Sequence, residues 1–427
     1  MTALLRMVRL SVFRRIPFSW RYRLYALYLR FVERGGLSAA QRAEVARALG
    51  RQAQGGGRRR VWFLPSVTWF SAGFQRQQQM AIALGETGCE VVYWEPWLIQ
   101  ESLRTPASDR ERNFTGLRQI GTNLSLLRCP LRQYLSLLRS CEPDWLMFGW
   151  PHQGAWIPKN SRSRTVYEMV DDHSLDAADA GWVRSHQRWV SKADVVVGTA
   201  DDLMRQLRPN RPEALLLPNG VRMEDWATEA GQAVPADMVS ARQKPVVVGY
   251  YGAIADWMDF DLWMAAARLR PAWAFVWIGY PYRPEVMNRI ARVTALPNAF
   301  YLGKKPYREL PAYLAHFDVV TIPFLLNPIT HACSPVKLFE FMAAGKPVVA
   351  TRMREILKYR SVRFADMAEE FVAQIEAALK LRDDPDYRRL VRSEAEANTW
   401  RARAQVLCRA MEEKEQSGAR REAMAHA

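Results

Sequence analysis

HACSPVKLFEFMAAGKPVVAT, residues 331–351, carries a loop, a helix and a buried strand in one line. Ser334 is placed to cap the helix, Pro335 suits its first position and Gly345 its end. Lys346-Pro347 then turns into the apolar run Val348-Val349-Ala350-Thr351. The first turn, Ser334-Pro335-Val336, is a loop-to-helix entry whose free N–H groups and dipole favour an anion. Lys337 and Glu340 are three residues apart and share a face; Leu338, Phe341 and Met342 lie on another.

A cation near an anion-binding turn and a carboxylate one turn further in can hold a nucleotide diphosphate and its ribose hydroxyls. The spacing alone equally describes a surface Lys/Glu pair on a core helix.

The run SPVKLFEFMAAGKPVVAT resembles the donor-site signature of the retaining glycosyltransferases of the GT-B fold, the large family usually numbered four (glycosyl transferases group 1). The resemblance implies that Glu340 binds the donor ribose and that Lys337 and the turn 334–336 receive the diphosphate. It also implies a UDP- or GDP-type nucleotide sugar as substrate, with no cofactor and no bound metal. The family often carries a further glutamate eight residues before the second; here that position is Ala332. Many members place Arg and Lys in the loop after the first donor-domain strand, but the loop from Gly252 to Trp257 has no cation. Gly252 opens that loop, and the charge shortfall falls to Lys337 and to Lys304 or Lys305, which otherwise read as a solvated pair.

Outward from this stretch, the chain alternates strand and helix. VWFLP (61–65), CEVVYWEP (89–96), NLSLLRC (123–129), DWLMFGW (144–150), RTVYEMV (164–170), ADVVVGT (193–199) and LLLPNGV (215–221) make one series of strands. VVVGYYG (246–252), WAFVWIGY (273–280), AFYLG (299–303), DVVTIPF (318–324) and PVVAT (347–351) make a second. Such runs predict two α/β, doubly wound, Rossmann-like domains facing a cleft, with ligands at the carboxyl ends of the strands. The reading divides the chain into a basic amphipathic segment 1–57, an acceptor-side domain 58–226 and a linker 227–245. A donor domain 246–397 and a closing helix and tail 398–427 follow. FQRQQQMAIALGETGCEVVYWEP, LPNGV, YYGAIADWMDFDLW and NTWRARAQVLCRAM occur in the order the family shows, so the resemblance extends over roughly 60–415.

In the first domain Asp171, Asp172 and His173 follow a strand end, where related enzymes often place a polar residue near the sugar or acceptor, and His152 follows the preceding strand. These four are the catalytic candidates. Gly73 and Arg76, in the first strand-to-helix loop, stand where acceptors approach in the family; Arg76 also reads as a surface residue at a helix start. Asp259 is placed to cap a helix, and Asp256 is a weaker candidate for the sugar pocket.

At 427 residues the chain accommodates two full cores, and 60 Lys+Arg against 44 Asp+Glu give a formal charge of +16, which attracts phosphates of any kind. The five cysteines are scattered, with neither zinc spacing nor a CxxC pair, and fit a reducing cytoplasm. The first 57 residues mix arginines with Leu, Phe, Trp and Tyr, as an interfacial segment on an anionic membrane would; an extra helix pair packed on a domain fits the same residues. The function expected is sugar transfer to a lipid-linked or polysaccharide acceptor of the cell envelope. The competing readings are a nucleotide-sugar epimerase, a non-catalytic relative and a nucleic-acid-binding protein. The last is disfavoured because the arginine excess is concentrated in the N-terminal segment and no recognised nucleic-acid module appears.

Overall fold

The computed structural model describes residues 36–54, 57–65, 67, 69–70, 73–96, 114–172, 180–227 and 231–425. The chain forms two compact units.

The first unit is built on β1 (Arg60–Leu64), β2 (Glu90–Pro96), β3 (Gly116–Gly121), β4 (Leu124–Cys129), β5 (Trp145–Phe148), β6 (Arg164–Met169), β7 (Val195–Gly198) and β8 (Leu215–Leu216). They lie in the order β3-β4-β2-β1-β5-β6-β7-β8. Every pairing is parallel except β3 with β4. Strands covered on both faces lose the apolar/polar alternation, which is why β1, β5 and β7 read as unbroken apolar runs. The edge strand β3, GLRQIG, is polar and carries a register shift between Gln119 and Gly121; it is absent from the sequence reading for that reason.

Part of the basic segment belongs to this unit. Ala39–Gln54 is a helix, preceded by Leu37 and holding Val45 and Leu49 in the core. The Gln133 side chain ties Leu37 down on both sides, accepting from its N–H at 2.8 Å and donating to its carbonyl at 2.9 Å. Residues 37–49 are thus packed against the unit, as the helix-on-a-domain alternative expects and not as an interfacial arm; residues 1–35 lie outside the described residues. The C-terminal helix Trp400–Ala425 joins the same unit from Ala404 onward. There Glu415 receives two 2.8 Å bonds from the Arg59 guanidinium and a 2.6 Å bond from the Trp145 indole.

The second unit holds β9 (Val247–Tyr251), β10 (Ala274–Ile278), β11 (Ala299–Tyr301), β12 (Val319–Ile322), β13 (Val348–Ala350) and β14 (Val362–Phe364). The order is β11-β10-β9-β12-β13-β14, parallel throughout. Asp259 caps the helix Phe260–Leu269 through a bond from the Leu262 N–H, as the sequence predicts. The expected linker does not separate the units: the division falls between Leu217 and Pro218. Trp226, Met238 and Ala241 are fully buried in the second core, so the 227–245 stretch includes a packed part of that unit.

Candidate active site

The strand order fixes where a ligand can enter the second unit. The chain winds outward from β9 through β10 to β11, then returns to β12 on the other side of β9 and continues outward through β13 to β14. Connections leaving β9 and β12 therefore diverge to opposite faces, and a crevice opens at their carboxyl ends. The loop from Gly252 leaves β9 here, and the chain beyond β12 leads to the helix Val336–Ala343.

Glu340 is buried at 5% exposure. Its Oε2 accepts a 2.8 Å bond from the Tyr251 hydroxyl at the end of β9. That phenol is held from two sides: Trp226 stacks on it at 5.6 Å and Phe341 meets it edge-on at 4.9 Å. Burial pushes the Glu340 carboxyl up to about 7, against the opposing pull of the Tyr251 bond and the Lys337 charge. Tyr251 uses one carboxylate oxygen only.

Lys337 has no carboxylate within ion-pair distance among the described residues. Its ammonium lies over the rings of Phe324 at 4.9 Å and Tyr250 at 5.3 Å, an aromatic cradle that holds a cation without neutralising it. Burial lowers its pKa, so an arriving anion restores charge stabilisation that the protein itself supplies sparingly. Gly252 is the residue that lets the lysine in. Its φ of 138° suits glycine, and a Cβ there would stand 2.6 Å from Lys337 Cε. The loop 252–257 lacks its own cation and presents the Gly252 backbone to the lysine of the β12–β13 crossover; Asp256, further along it, faces Arg289 at 3.7 Å. Lys337 and Glu340 are thus not the surface pair that their spacing allows.

Ser334 corrects the sequence reading. The helix begins at Val336 with Pro335 as its N-cap, and no side chain caps it. The Ser334 hydroxyl instead accepts from the Asn219 N–H at 3.2 Å, which anchors the loop ahead of the helix. The first-turn N–H groups are accordingly not occupied by a serine oxygen. Gly345 follows the helix with φ 67°, as its place in the sequence predicts. Ala332, where the family often has a carboxylate, is buried at the end of the short helix Pro328–His331. Lys305 is not a solvated loop lysine, because it is paired with Asp237, which also accepts from the Tyr313 hydroxyl at 2.9 Å. Lys304 beside it is half-buried.

In the first unit the candidates separate. Arg76 begins the helix Arg76–Glu86 at 4% exposure and donates to Glu168 on β6 at 3.0 and 2.7 Å. It is neither a surface residue nor turned outward to an acceptor. Gly73 is half-buried, and its carbonyl lies 3.5 Å from the Gln78 amide. His152 sits on the turn Pro151–Trp156 after β5, its ring 5.4–5.5 Å from Trp150, Trp156 and Trp182. Asp171 is exposed beyond β6, and Asp172 accepts a 2.8 Å bond from Gln206. His173 lies outside the described residues.

The sequence reading missed several participants. Tyr251, Trp226, Tyr250 and Phe324 build the surroundings of Glu340 and Lys337, and Glu168 is the partner of Arg76. His186 is half-buried, its ring nitrogen meets the buried Tyr167 hydroxyl at 2.8 Å, and burial lowers its pKa to about 4, which keeps it neutral. Only Tyr251 had a local signal, as the last residue of an apolar strand just before a glycine.

Residues 245–381 match the family described as Glycosyl transferases group 1, and the fold is GT-B. Among curated proteins, TuaH of Bacillus subtilis (strain 168), named for a proposed role as a teichuronic acid biosynthesis glycosyltransferase, is 28% identical over 225 residues. That match takes in 50% of this chain and 55% of the relative, so the chain spans about half the length of the curated protein it resembles. Among solved structures, sucrose-phosphate synthase from Thermosynechococcus elongatus has a TM-score of 0.61 at 14% identity, over 87% of this chain and 100% of its own. Anabaena Alr3699/HepE, in complex with UDP and glucose, has a TM-score of 0.58 at 14% identity, over 83% and 100%. These likenesses concern the fold.

Proposed function

We propose that the protein is a glycosyltransferase that moves a sugar from a nucleotide-diphosphate sugar to a polysaccharide or lipid-linked acceptor in cell-envelope synthesis, with retention at the anomeric carbon. The observation that carries the reading is the pairing of roles at the carboxyl ends of β9 and β12. Glu340 is aligned by Tyr251, while Lys337 is cradled by rings and is without a carboxylate partner among the described residues. In this reading Glu340 accepts from the ribose hydroxyls. Lys337, the Gly252 backbone and the open turn Ser334-Pro335-Val336 take up the charge that develops on the departing diphosphate. Lys304 lies on the loop after β11 as a further cation for the same group.

Asp171, Asp172 and His173 are the acceptor-side candidates, with His152 following them. A substrate class of envelope polysaccharide is supported by the teichuronic acid role named for TuaH, and a UDP-type donor by the UDP in the HepE structure. The membrane-surface association rests on residues 1–35; no described helix is long and apolar enough to cross a membrane.

A thermal-shift panel of nucleotide diphosphates and nucleotide sugars tests the proposal. A ligand at a hundred times its dissociation constant stabilises by about 2.7 kcal/mol. One base should stand out, and its sugar conjugate should bind at the same site. Silence across the panel would favour the non-catalytic relative.

A further inference from the structure

Two of the five cysteines, far apart in sequence, meet in the first unit. Cys89 is buried just ahead of β2, and its N–H donates to the Leu84 carbonyl at the end of the helix Arg76–Glu86. Cys408 is half-buried on the C-terminal helix, and the two sulfurs are 3.7 Å apart across a separation of 319 residues. The Thr87 hydroxyl stands 3.7 Å from the Cys408 sulfur. A cavity of about 580 Å³ opens over the pair, and its lining includes Cys89, Cys408 and the arginines 58, 59, 60 and 164, with Asp144 and Glu415 among them. The scatter of cysteines along the sequence therefore conceals a dithiol.

We propose that Cys89 and Cys408 form a reversible disulfide by exchange with an anionic low-molecular-weight disulfide that enters through this arginine-lined cavity. Cys408 is the attacking thiol. It is the more accessible of the two, the Thr87 hydroxyl and the Arg59 charge favour its thiolate, and the Cys89 thiol donating to it lowers its pKa to about 6. The Cys408 thiolate attacks one sulfur of the small disulfide, whose S–S bond breaks and releases one small thiolate, which takes a proton from water. Cys89 then gives up its proton, attacks the Cys408 sulfur of the mixed disulfide and expels the second small thiol. Two protein thiols are oxidised and one small disulfide is reduced to two thiols.

The sulfurs need to close from 3.7 Å to about 2.05 Å. The bond would staple the C-terminal helix to the start of β2. Because the whole of Pro218–Arg403 lies between the two cysteines, the covalent loop it closes would contain the second unit.

The test uses the full chain and oxidised glutathione. After incubation and denaturing alkylation, the free thiol count should fall by two from the five of the sequence, and an unreduced digest should contain a peptide joined through Cys89 and Cys408. Cys89→Ser should trap a glutathione adduct on Cys408, and Cys408→Ser should abolish the joined peptide. The proposal is overturned if all five thiols persist, or if thiols are lost only as adducts on Cys141 or Cys333 with no joined peptide. The wild-type digest decides the matter even where a variant fails to fold.

Discussion

Two acid–base pairs, each with its cation at a helix start, are treated in opposite ways by the two units. In the first, Arg76 and Glu168 are both buried, at 4% and 0% exposure, and bond directly to each other at 2.7 Å. In the second, Lys337 and Glu340 share one helix, yet each turns to aromatic partners instead of to the other. A buried pair that neutralises itself, even with Glu168 Oε2 left without a bond, offers a ligand no net charge and serves to fix a strand against a helix. Groups held by rings and a phenol at a topological switch point are not neutralised by one another, and burial leaves the charge of each to be stabilised by something that arrives.

The largest effect should come from breaking the closed pair. Arg76→Met leaves the Glu168 carboxylate buried without its cation and should cost about 3–5 kcal/mol in denaturant unfolding. The double variant Arg76→Met/Glu168→Leu should recover most of that loss. An Arg76→Met protein with unchanged stability and lost turnover would instead make Arg76 an acceptor contact, and the contrast between the two pairs would fail.

The open site should show the opposite sign. The folded pKa of Glu340 is raised to about 7 from an ordinary 4.5, so its favourable contribution is complete below pH 4.5 and is lost as pH rises through 7. Glu340→Gln should therefore be more stable than wild type at pH 8, by up to about 3 kcal/mol, with the difference vanishing near pH 4. Equal stability curves over that range would mean that the carboxyl is not held in a costly environment. Smaller again is the effect at the proposed acceptor-side residues: Asp171→Asn or Asp172→Asn should cut turnover by roughly tenfold or more, the scale of a lost acid–base or polar contact, while leaving nucleotide affinity unchanged. Full activity in both would shift attention to His173 and then to His152.

Most of the fold was legible because parallel strands covered on both faces leave apolar runs, and the gaps of thirteen to twenty-six residues between successive runs of each series demand crossovers. What escaped was decided across long separations. Nothing near Glu340 announces Tyr251, which is 89 residues away, and nothing near Ser334 announces Asn219, 115 residues away, whose backbone takes the hydroxyl that local rules assign to a cap. The three-residue spacing of Lys337 and Glu340 is the same on a surface helix as at a switch point. Arg76 reads as exposed because its partner lies 92 residues further on. Met238 and Ala241 were lost to a linker by the composition around them, although both are fully buried.

The most direct measurement of the central claim is calorimetric binding of a nucleoside diphosphate and its bare nucleoside to the wild type, Lys337→Ala and Glu340→Gln, with UDP and uridine as the first pair. Glu340→Gln should weaken both ligands by a similar factor, about 1.5–3 kcal/mol for a lost charged hydrogen bond to ribose. Lys337→Ala should weaken the diphosphate by about tenfold and leave the nucleoside nearly unaffected. Equal losses for both ligands in Lys337→Ala would remove the phosphate role, and wild-type affinity in Glu340→Gln would contradict the assignment of this switch point as the donor site.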